Sequence, residues 1–489
     1  MSFFDSLDNL HESQRLEFKD ARTGLPRDLW ETYSAFANAE GGEIVLGVSE
    51  NKQQKTFSVV GVPDPDALIT EFWTTVRNPQ RVNRDIMLLD GVKSVEVDGK
   101  GLVLINVPRA ARGEKPVSVY LKGAFVAFVR RGESDLQATE DDLRLMGYDS
   151  IPSADRKPLE HFDKVALCPE TINHYRNVFA GNKPQSPWND DSTEDFLYHI
   201  GALGKGSDDE LHPTVAGLLA FGYEYEITNY IPSFLLDYRE ETSGDLRWDD
   251  RIVSQSGDWS GNLIDFYFSV AGRIKRFFKM PFSTDGDGMN HGSRNPVSEA
   301  ANEAVVNALI HAFYGSSSTA VRIIVKPEAL EVSNPGSFLV DREVALSGGS
   351  SESRNPTLMR IFGFIGASDR AGSGLFNIWK TWQENFSLEP ELEEDHSPAT
   401  VKIVLPIPET IPCNRGNKTQ EKFQRESGNV SEDEILAYLS AHPEGLTPAE
   451  AESELGITVR HAQYRLKRLF DKNKLTRAKD GRSFRYKIL

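Results

Sequence analysis

The chain has 489 residues, which predicts about three domains at roughly 150 residues each rather than one core. A hydrophobic share of 39% and a charged share of 26% are those of folded domains and exclude wholesale disorder or a fibrous repeat. With 55 Lys and Arg against 73 Asp and Glu the net charge is −18, so nucleic acid is not coated by the whole surface and any contact needs a local basic patch.

In chain order, residues 10–145 alternate strand-like runs with helical stretches. Leu25 to Asn38 reads as an amphipathic helix with Leu29, Tyr33, Phe36 and Ala37 at helical spacing. Gly41-Gly42 stops it and turns the chain into Ile44-Val45-Leu46-Gly47-Val48, a short aliphatic run expected to be a buried strand, as is Gly101 to Val107. The stretches Glu12-Ser-Gln-Arg-Leu-Glu17-Phe-Lys19 and Ala35 to Val48, with Pro116, Tyr120 and Val129 to Ser134 further on, resemble the Schlafen AlbA-type (divergent AAA) domain. Some members of that family cut RNA with three acidic residues. The resemblance puts these at Glu12, Glu17 and Glu50, where carboxylates would hold a divalent metal and Lys19 would steady a phosphate. Arg109, Arg112, Lys115, Lys122, Arg130 and Arg131 are candidates for backbone contacts with nucleic acid; the alternative is that they are solvated loop residues.

Residues 149–160 carry proline and charge and read as a connector. From 160 to 285 no catalytic constellation is visible; Thr214 to Phe221 and Pro232 to Leu236 predict buried elements, and Leu263 to Phe278 a helix.

The sharpest pattern follows. In Glu299-Ala-Ala-Asn-Glu303-Ala-Val-Val-Asn307-Ala-Leu-Ile-His311 the polar residues recur every fourth position along an otherwise apolar helix. Burying carboxylate, amide and imidazole side by side costs several kcal/mol unless they bind something, and carboxylate and amide oxygens suit Mg²⁺. After strands at Val321 to Val325 and Leu330 to Val332 comes Asn334-Pro-Gly336, then Ala371-Gly372-Ser-Gly374 leading into a helix, where backbone N–H groups can approach a phosphate. At these residues the chain resembles the GHKL ATP-binding fold, and more closely the divergent GHKL module of bacterial RecG-related regulators. The resemblance implies that Glu303 orients a hydrolytic water in a weak ATPase, Asn307 holds Mg²⁺, Asn334 and Gly336 stand in the adenine box, Gly372 and Gly374 form the second glycine box, and Ser347 to Asn355 is a mobile lid. The usual adenine-binding aspartate is replaced by Asn334, whose amide oxygen accepts more weakly. No Gly-x-x-x-x-Gly-Lys-Ser/Thr occurs, which argues against a helicase motor.

Ile407 to Asn429 reads as a flexible tether. Beyond it, residues 431–441 predict one helix, Thr447-Pro-Ala-Glu450 is a capping box opening a second, and Thr458 to Phe470 is a third. Two short strands flank Asp480-Gly481, a good hairpin turn, and together these predict a winged helix-turn-helix. From Ile457 to Leu489 there are eleven Lys and Arg against two Asp, a net +9 that leaves −27 for the rest. That segregation points to DNA contact through Arg460, Tyr464, Lys467, Arg468, Lys479 and Arg482.

Two cysteines, Cys168 and Cys413, are too few for a disulfide framework and lack metal-ligand spacing. No run of about 18 apolar residues predicts a membrane span, and Met1 to Asp5 carries no signal-peptide pattern, so a cytoplasmic protein is expected.

The expected fold class is α/β (α+β) multidomain. Its parts are a Schlafen AlbA-type domain (1–148), a connecting region (149–290), a GHKL-like α/β sandwich (291–406), a linker (407–430) and a winged helix (431–489). The expected function is an ATP- and Mg²⁺-dependent regulator of transcription, a homodimer with DNA or RNA as partner. The competing expectation is a metal-dependent nuclease acting on RNA or single-stranded DNA in phage defence. A third is a slow ATPase that signals to a partner protein.

Overall fold

The structure, a computed structural model, describes residues 14–51, 56–242, 248–278, 295–316, 320–340, 342–348, 352–368, 374–396, 398–408, 432–455, 459–471, 474–480 and 483–488. It is a mixed α+β architecture with several separate sheets.

The first core holds β1 (Leu16–Lys19), α1 (Leu29–Asn38), β2 (Gly42–Leu46), β3 (Val48–Asn51), β4 (Thr56–Val59), α2 (Pro65–Val76), β5 (Val92–Val97), β6 (Lys100–Val107), β7 (Ser118–Leu121), β8 (Ala124–Arg131), β9 (Ser134–Gln137) and α3 (Glu140–Asp149). A four-stranded sheet runs β1-β2-β6-β5, with β1 parallel to β2 and the other pairs antiparallel. The helix expected from Leu25 begins at Leu29, after a turn closed by Leu29 N donating to Pro26 O (3.2 Å). Gly41 takes φ +73°, and a Cβ there would stand 2.8 Å from Val107 O, so only glycine lets the chain reverse against β6. Asn38 ties the layers together: Nδ2 donates to Val117 O and Phe128 O, both at 2.9 Å, and Oδ1 accepts from Val117 N at 2.8 Å.

The second core begins with α4 (Pro169–Asn182), α5 (Thr193–Ile200), β10 (Leu203–Lys205), β11 (Leu211–Pro213), α6 (Val215–Phe221), α7 (Glu224–Tyr230), β12 (Leu236–Glu240), β13 (Asp250–Val253) and α8 (Leu263–Phe277). It continues with α9 (Pro296–His311), β14 (Val321–Val325), β15 (Ala329–Pro335), α10 (Arg342–Ser347), α11 (Pro356–Phe364), α12 (Gly374–Phe386), β16 (Glu391–His396) and β17 (Ala399–Pro406). Its six-stranded sheet has the order β13-β12-β14-β15-β17-β16, which leaves β16 at an edge. The expectation that 149–290 stands apart from 291–406 is corrected here. β12 lies parallel beside β14, pairing Leu236 with Val321. One cluster of buried side chains runs unbroken from Leu159 to Ile407. The supposed connector is also an anchor, because buried Asp155 accepts from Thr357 N (2.7 Å) and Leu358 N (2.9 Å) at the start of α11.

The third core contains α13 (Glu432–Ala441), α14 (Pro448–Leu455), α15 (Val459–Asp471), β18 (Leu475–Asp480) and β19 (Ser483–Ile488), the last two an antiparallel pair. Ile435, Leu439, Leu446, Ala451, Ala462, Leu466, Leu469, Leu475 and Tyr486 make its buried centre. Thr447 and Glu450 form the expected reciprocal cap, Thr447 N donating to Glu450 Oε2 (2.9 Å) and Glu450 N to Thr447 Oγ1 (3.2 Å). Among the described residues no helix is long and apolar enough to cross a membrane.

Candidate nucleotide site

Asn295 opens α9, its side chain accepting from Ser298 N (3.2 Å), and Pro296 occupies the first turn, where its missing N–H costs nothing. Val297, Ala301, Val305 and Leu309 are fully buried and fix the helix against the core, each large apolar side chain contributing about 1.5–3 kcal/mol. The helix then turns Glu303, Asn307 and His311 into a cleft of about 1000 Å³, its solvent mouth included. Glu299, expected in the same row, is exposed and outside the cleft. The reason is helical drift. Four residues advance about 400°, so each step rotates the row by roughly 40° and three steps carry it a third of the way round.

Val332 and Asn334 of β15, Leu392 of β16 and Val401 and Ile403 of β17 line the cleft, and Gly374 and Leu375 open α12 beside it. A Cβ on Gly374 would stand 2.6 Å from Glu303 Oε1 and 3.2 Å from Asn307 Nδ2, so the absent side chain is what lets the first turn of α12 approach these two groups. That turn also carries backbone N–H groups with no partner inside the helix, the usual place for a phosphate oxygen. Asn334 is buried and donates from Nδ2 to Pro335 O (3.1 Å), which leaves Oδ1 as the acceptor an adenine amino group needs. The donor set therefore fits a magnesium nucleotide: a carboxylate, an amide and a glycine-opened helix start at one end, apolar strands with one buried amide along the floor.

His311 is held neutral, its imidazole pushed down to about 4 by burial and by the neighbouring Arg354 guanidinium. Arg354 was not anticipated by the sequence. It is almost fully buried and donates from Nε to Asp149 Oδ1 (2.7 Å), from Nη2 to Asp149 Oδ2 (3.1 Å) and Ser337 O (2.8 Å), and from Nη1 to His311 O. Gly336, expected among the nucleotide-binding residues, lies outside the cleft; with φ +110° and a would-be Cβ 2.6 Å from Arg354 Nη1, it makes room for that arginine instead. Gly372 lies outside the described residues. The expected lid is corrected at its C-terminal end. Ser353, Arg354 and Asn355 are buried, and Asn355 donates to Ile310 O (3.0 Å) and Ala312 O (2.8 Å) while accepting from Tyr148 Oη (2.7 Å).

The front acidic trio is not assembled among the described residues. Glu12 lies outside them, and Glu50 is exposed on β3. Glu17 is buried between Lys19 Nζ and Arg130 Nη2, each at 2.9 Å, while Lys19 also holds Asp28 (2.8 Å). No group of three His, Cys, Asp or Glu able to hold a metal occurs among the described residues. Several basic candidates also have internal partners: Arg109 on Glu40 (2.9 Å), Arg130 on Glu17 and Asp135, Arg131 on Asp142 (2.9 Å). Lys122 is exposed in the turn between β7 and β8.

In the third core Lys467 and Lys479 are exposed. Arg468 is bound to Glu391 of β16 at 2.7 Å, which takes it out of the expected set of free DNA contacts. Arg482 and the side chains of Arg460 and Tyr464 lie outside the described residues.

Residues 12–139 match the family described as "Schlafen, AlbA_2", and residues 318–403 the one described as "Putative ATP-dependent DNA helicase recG C-terminal". The chain carries a Schlafen AlbA_2 domain and a RecG C-terminal HATPase domain. Residues 144–237 match a domain of unknown function, DUF8451, which spans the junction between the first two cores. No curated protein matches. Among solved structures, the DIP2311 protein of Corynebacterium diphtheriae is 15% identical, with 97% of this chain and 95% of that chain covered and a TM-score of 0.39. The N-terminal domain of a RecG-related protein from Nitrosomonas europaea, titled a putative ATP-dependent DNA helicase, is 28% identical over 27% of this chain and 86% of that chain, with a TM-score of 0.22.

Proposed function

We propose that this protein is an ATP-binding regulator of nucleic acid, most simply a transcriptional regulator, in which a nucleotide in the HATPase cleft alters how the Schlafen AlbA_2 domain and the C-terminal helices engage DNA. The observation that carries the reading is the convergence of Glu303, Asn307 and Gly374 at one end of a cleft with buried Asn334 in its wall. In this reading Asn307 ligates Mg²⁺, Glu303 orients water, the start of α12 takes phosphate oxygens and Asn334 accepts from the adenine amino group. The bound magnesium nucleotide supplies a polarised γ-phosphate; the chain's own residues position it and exclude bulk water.

The regulatory part is supported by how the cleft is framed. Arg109 Nη2 of the Schlafen AlbA_2 domain donates to Phe338 O (2.9 Å), and Phe338 lines the cleft, so a change there is felt directly by the front domain. A nucleotide can shift that arrangement only through different affinities for its two states. The C-terminal unit, three helices and an antiparallel pair with a net +9 from 457 to 489, has the order and charge of a DNA-binding winged helix.

Titrating a fluorescent ATP analogue with Mg²⁺ into wild type and Asn307→Ala tests the site. At least a tenfold loss of affinity is expected in the variant; equal affinity in both removes the assignment. Salt-controlled DNA binding with and without ATP tests the regulation, and identical isotherms defeat it.

A further inference from the structure

At its far end the cleft holds a second polar side chain, His311. Glu303, Asn307 and His311 follow one another about a turn apart on α9. His311 therefore stands roughly 6 Å farther along the helix axis than Asn307, and roughly 12 Å from Glu303. That step carries it away from the end where Gly374 opens α12 and toward Asn334. Phe313 N, two residues on, donates to Pro335 O at 2.8 Å, which clamps the close of α9 against the stretch that bears Asn334. His311 and Asn334 both line the cleft there.

Among the described residues the His311 ring makes no hydrogen bond and no ion pair; Arg354 Nη1 takes only its carbonyl. The residue is partly buried, so its ring has lost some hydration with nothing in exchange. Burial, and then the Arg354 guanidinium, keep the imidazole uncharged near neutral pH. It thus offers one N–H donor and one bare nitrogen, and no charge to set against a phosphate. Its polar neighbours in the lining are committed or outside. Arg354 is held by Asp149 and by the carbonyls of Ser337 and His311, and Glu352 is exposed.

The adenine 6-amino group, which Asn334 Oδ1 would accept from, is flanked on the ring by two nitrogens that are both acceptors. A donor standing beside Asn334 therefore meets an acceptor standing beside the amino group. The amide oxygen of Asn334 is a weaker acceptor than a carboxylate, and an N–H from His311 supplies the second contact that the base needs. We propose that His311 donates a hydrogen bond to a ring nitrogen of adenine next to its 6-amino group, so that His311 and Asn334 together select an adenine nucleotide. That assignment rests on the cleft being a nucleotide site and gives His311 to the base, leaving the metal and phosphates to the other end.

The test is titration of ATP, 1-deaza-ATP and 7-deaza-ATP, each with Mg²⁺, into the full-length wild type, His311→Phe and Asn307→Ala. Each analogue replaces one flanking nitrogen by C–H and keeps the 6-amino group, the sugar and the triphosphate. Wild type is expected to bind one of the two analogues at least about fivefold more weakly than ATP. His311→Phe should bind all three alike, at the weaker level. Asn307→Ala should weaken all three and keep the ratio between them, because its loss falls on the metal. Should His311→Phe lower the melting temperature markedly, His311→Ala decides in its place. Equal binding of the three nucleotides by wild type, or discrimination that persists without the imidazole, overturns the role of His311 and leaves the ATP site standing. Absence of ATP binding in wild type removes both.

Discussion

Arg354 and Asp149, 205 positions apart, form a buried two-pronged ion pair, Nε to Oδ1 at 2.7 Å and Nη2 to Oδ2 at 3.1 Å. The same guanidinium reaches His311 O at the end of α9 and Ser337 O beside the cleft. One side chain therefore fixes the last turn of the nucleotide-facing helix, the wall of its cleft and the end of α3.

Removing one partner of that pair leaves the other charged and enclosed. Asp149→Ala is expected to cost about 3–5 kcal/mol, measured as a shift in urea midpoint with unchanged slope. Replacing both with apolar residues of similar volume, Arg354→Met with Asp149→Leu, should recover a substantial part of the loss. A single variant as stable as wild type would show the pair to be of little weight.

Gly374→Ala places a methyl group where Glu303 Oε1 now lies 2.6 Å away. The flexible carboxylate can swing aside, so the fold should lose little, within about 1 kcal/mol. Nucleotide affinity should fall at least tenfold, because Glu303 and the start of α12 are driven apart. Calorimetry paired with a thermal melt separates the two effects.

His311 gives a signed pH dependence. Its folded value is about 4, while in the unfolded chain an imidazole protonates near 6.5. Between those values the unfolded state binds the extra proton, so this residue's contribution is intact above pH 6.5 and is lost as pH falls toward 4. Asp155 works in the opposite sense. Burial raises its carboxyl to about 6, so below pH 6 it is the folded state that takes up the proton. The clean readout is the difference between His311→Asn and wild type: the variant should lose less stability from pH 7.5 to 5, and parallel curves would contradict the assignment.

For DNA, Lys467→Ala and Lys479→Ala should each lower the slope of log K against log salt by about one, read by fluorescence anisotropy. Arg468→Ala should change it less, since Arg468 is engaged by Glu391. Equal effects of all three would place Arg468 on the DNA.

The nuclease alternative needs a residue whose loss does not also loosen the domain. Glu17 fails that standard: without it, Lys19 and buried Arg130 each lose a partner, a cost of about 1–3 kcal/mol. Exposed Glu50 meets it. Glu50→Gln should leave melting unchanged, and abolished cleavage of RNA with Mn²⁺ in that variant alone would establish the acidic centre; retained or absent cleavage in both proteins defeats it.

Much of the nucleotide site was legible because its signal is local. Glu303, Asn307 and His311 stand out at fixed spacing against alanine, valine and leucine, and the helix starts at Pro296 and Gly374 carry their own chemistry. Glu299 misled because a four-residue step is not a whole number of helical turns. The capping box at Thr447 and Glu450 held for the same local reason. What could not be read were long-range pairings. β12 lies against β14, pairing Leu236 with Val321 across a stretch that contains both α8 and α9, and nothing in Leu236 to Glu240 announces that partner. Arg354 sits in a run of serine and glycine that looks like loop, and its counter-charge lies in a different domain.

The rim of the large sheet has a bearing on how the protein behaves at high concentration. β16 ends the sheet, and Glu391, Glu393 and Asp395 alternate along one side of it. An unpaired strand is a template for a second molecule, but this rim is already engaged: Glu391 holds Arg468 of α15 at 2.7 Å and Glu393 holds Lys402 at 3.2 Å. A second copy adding its own strand beside β16 would first have to displace the arginine of α15.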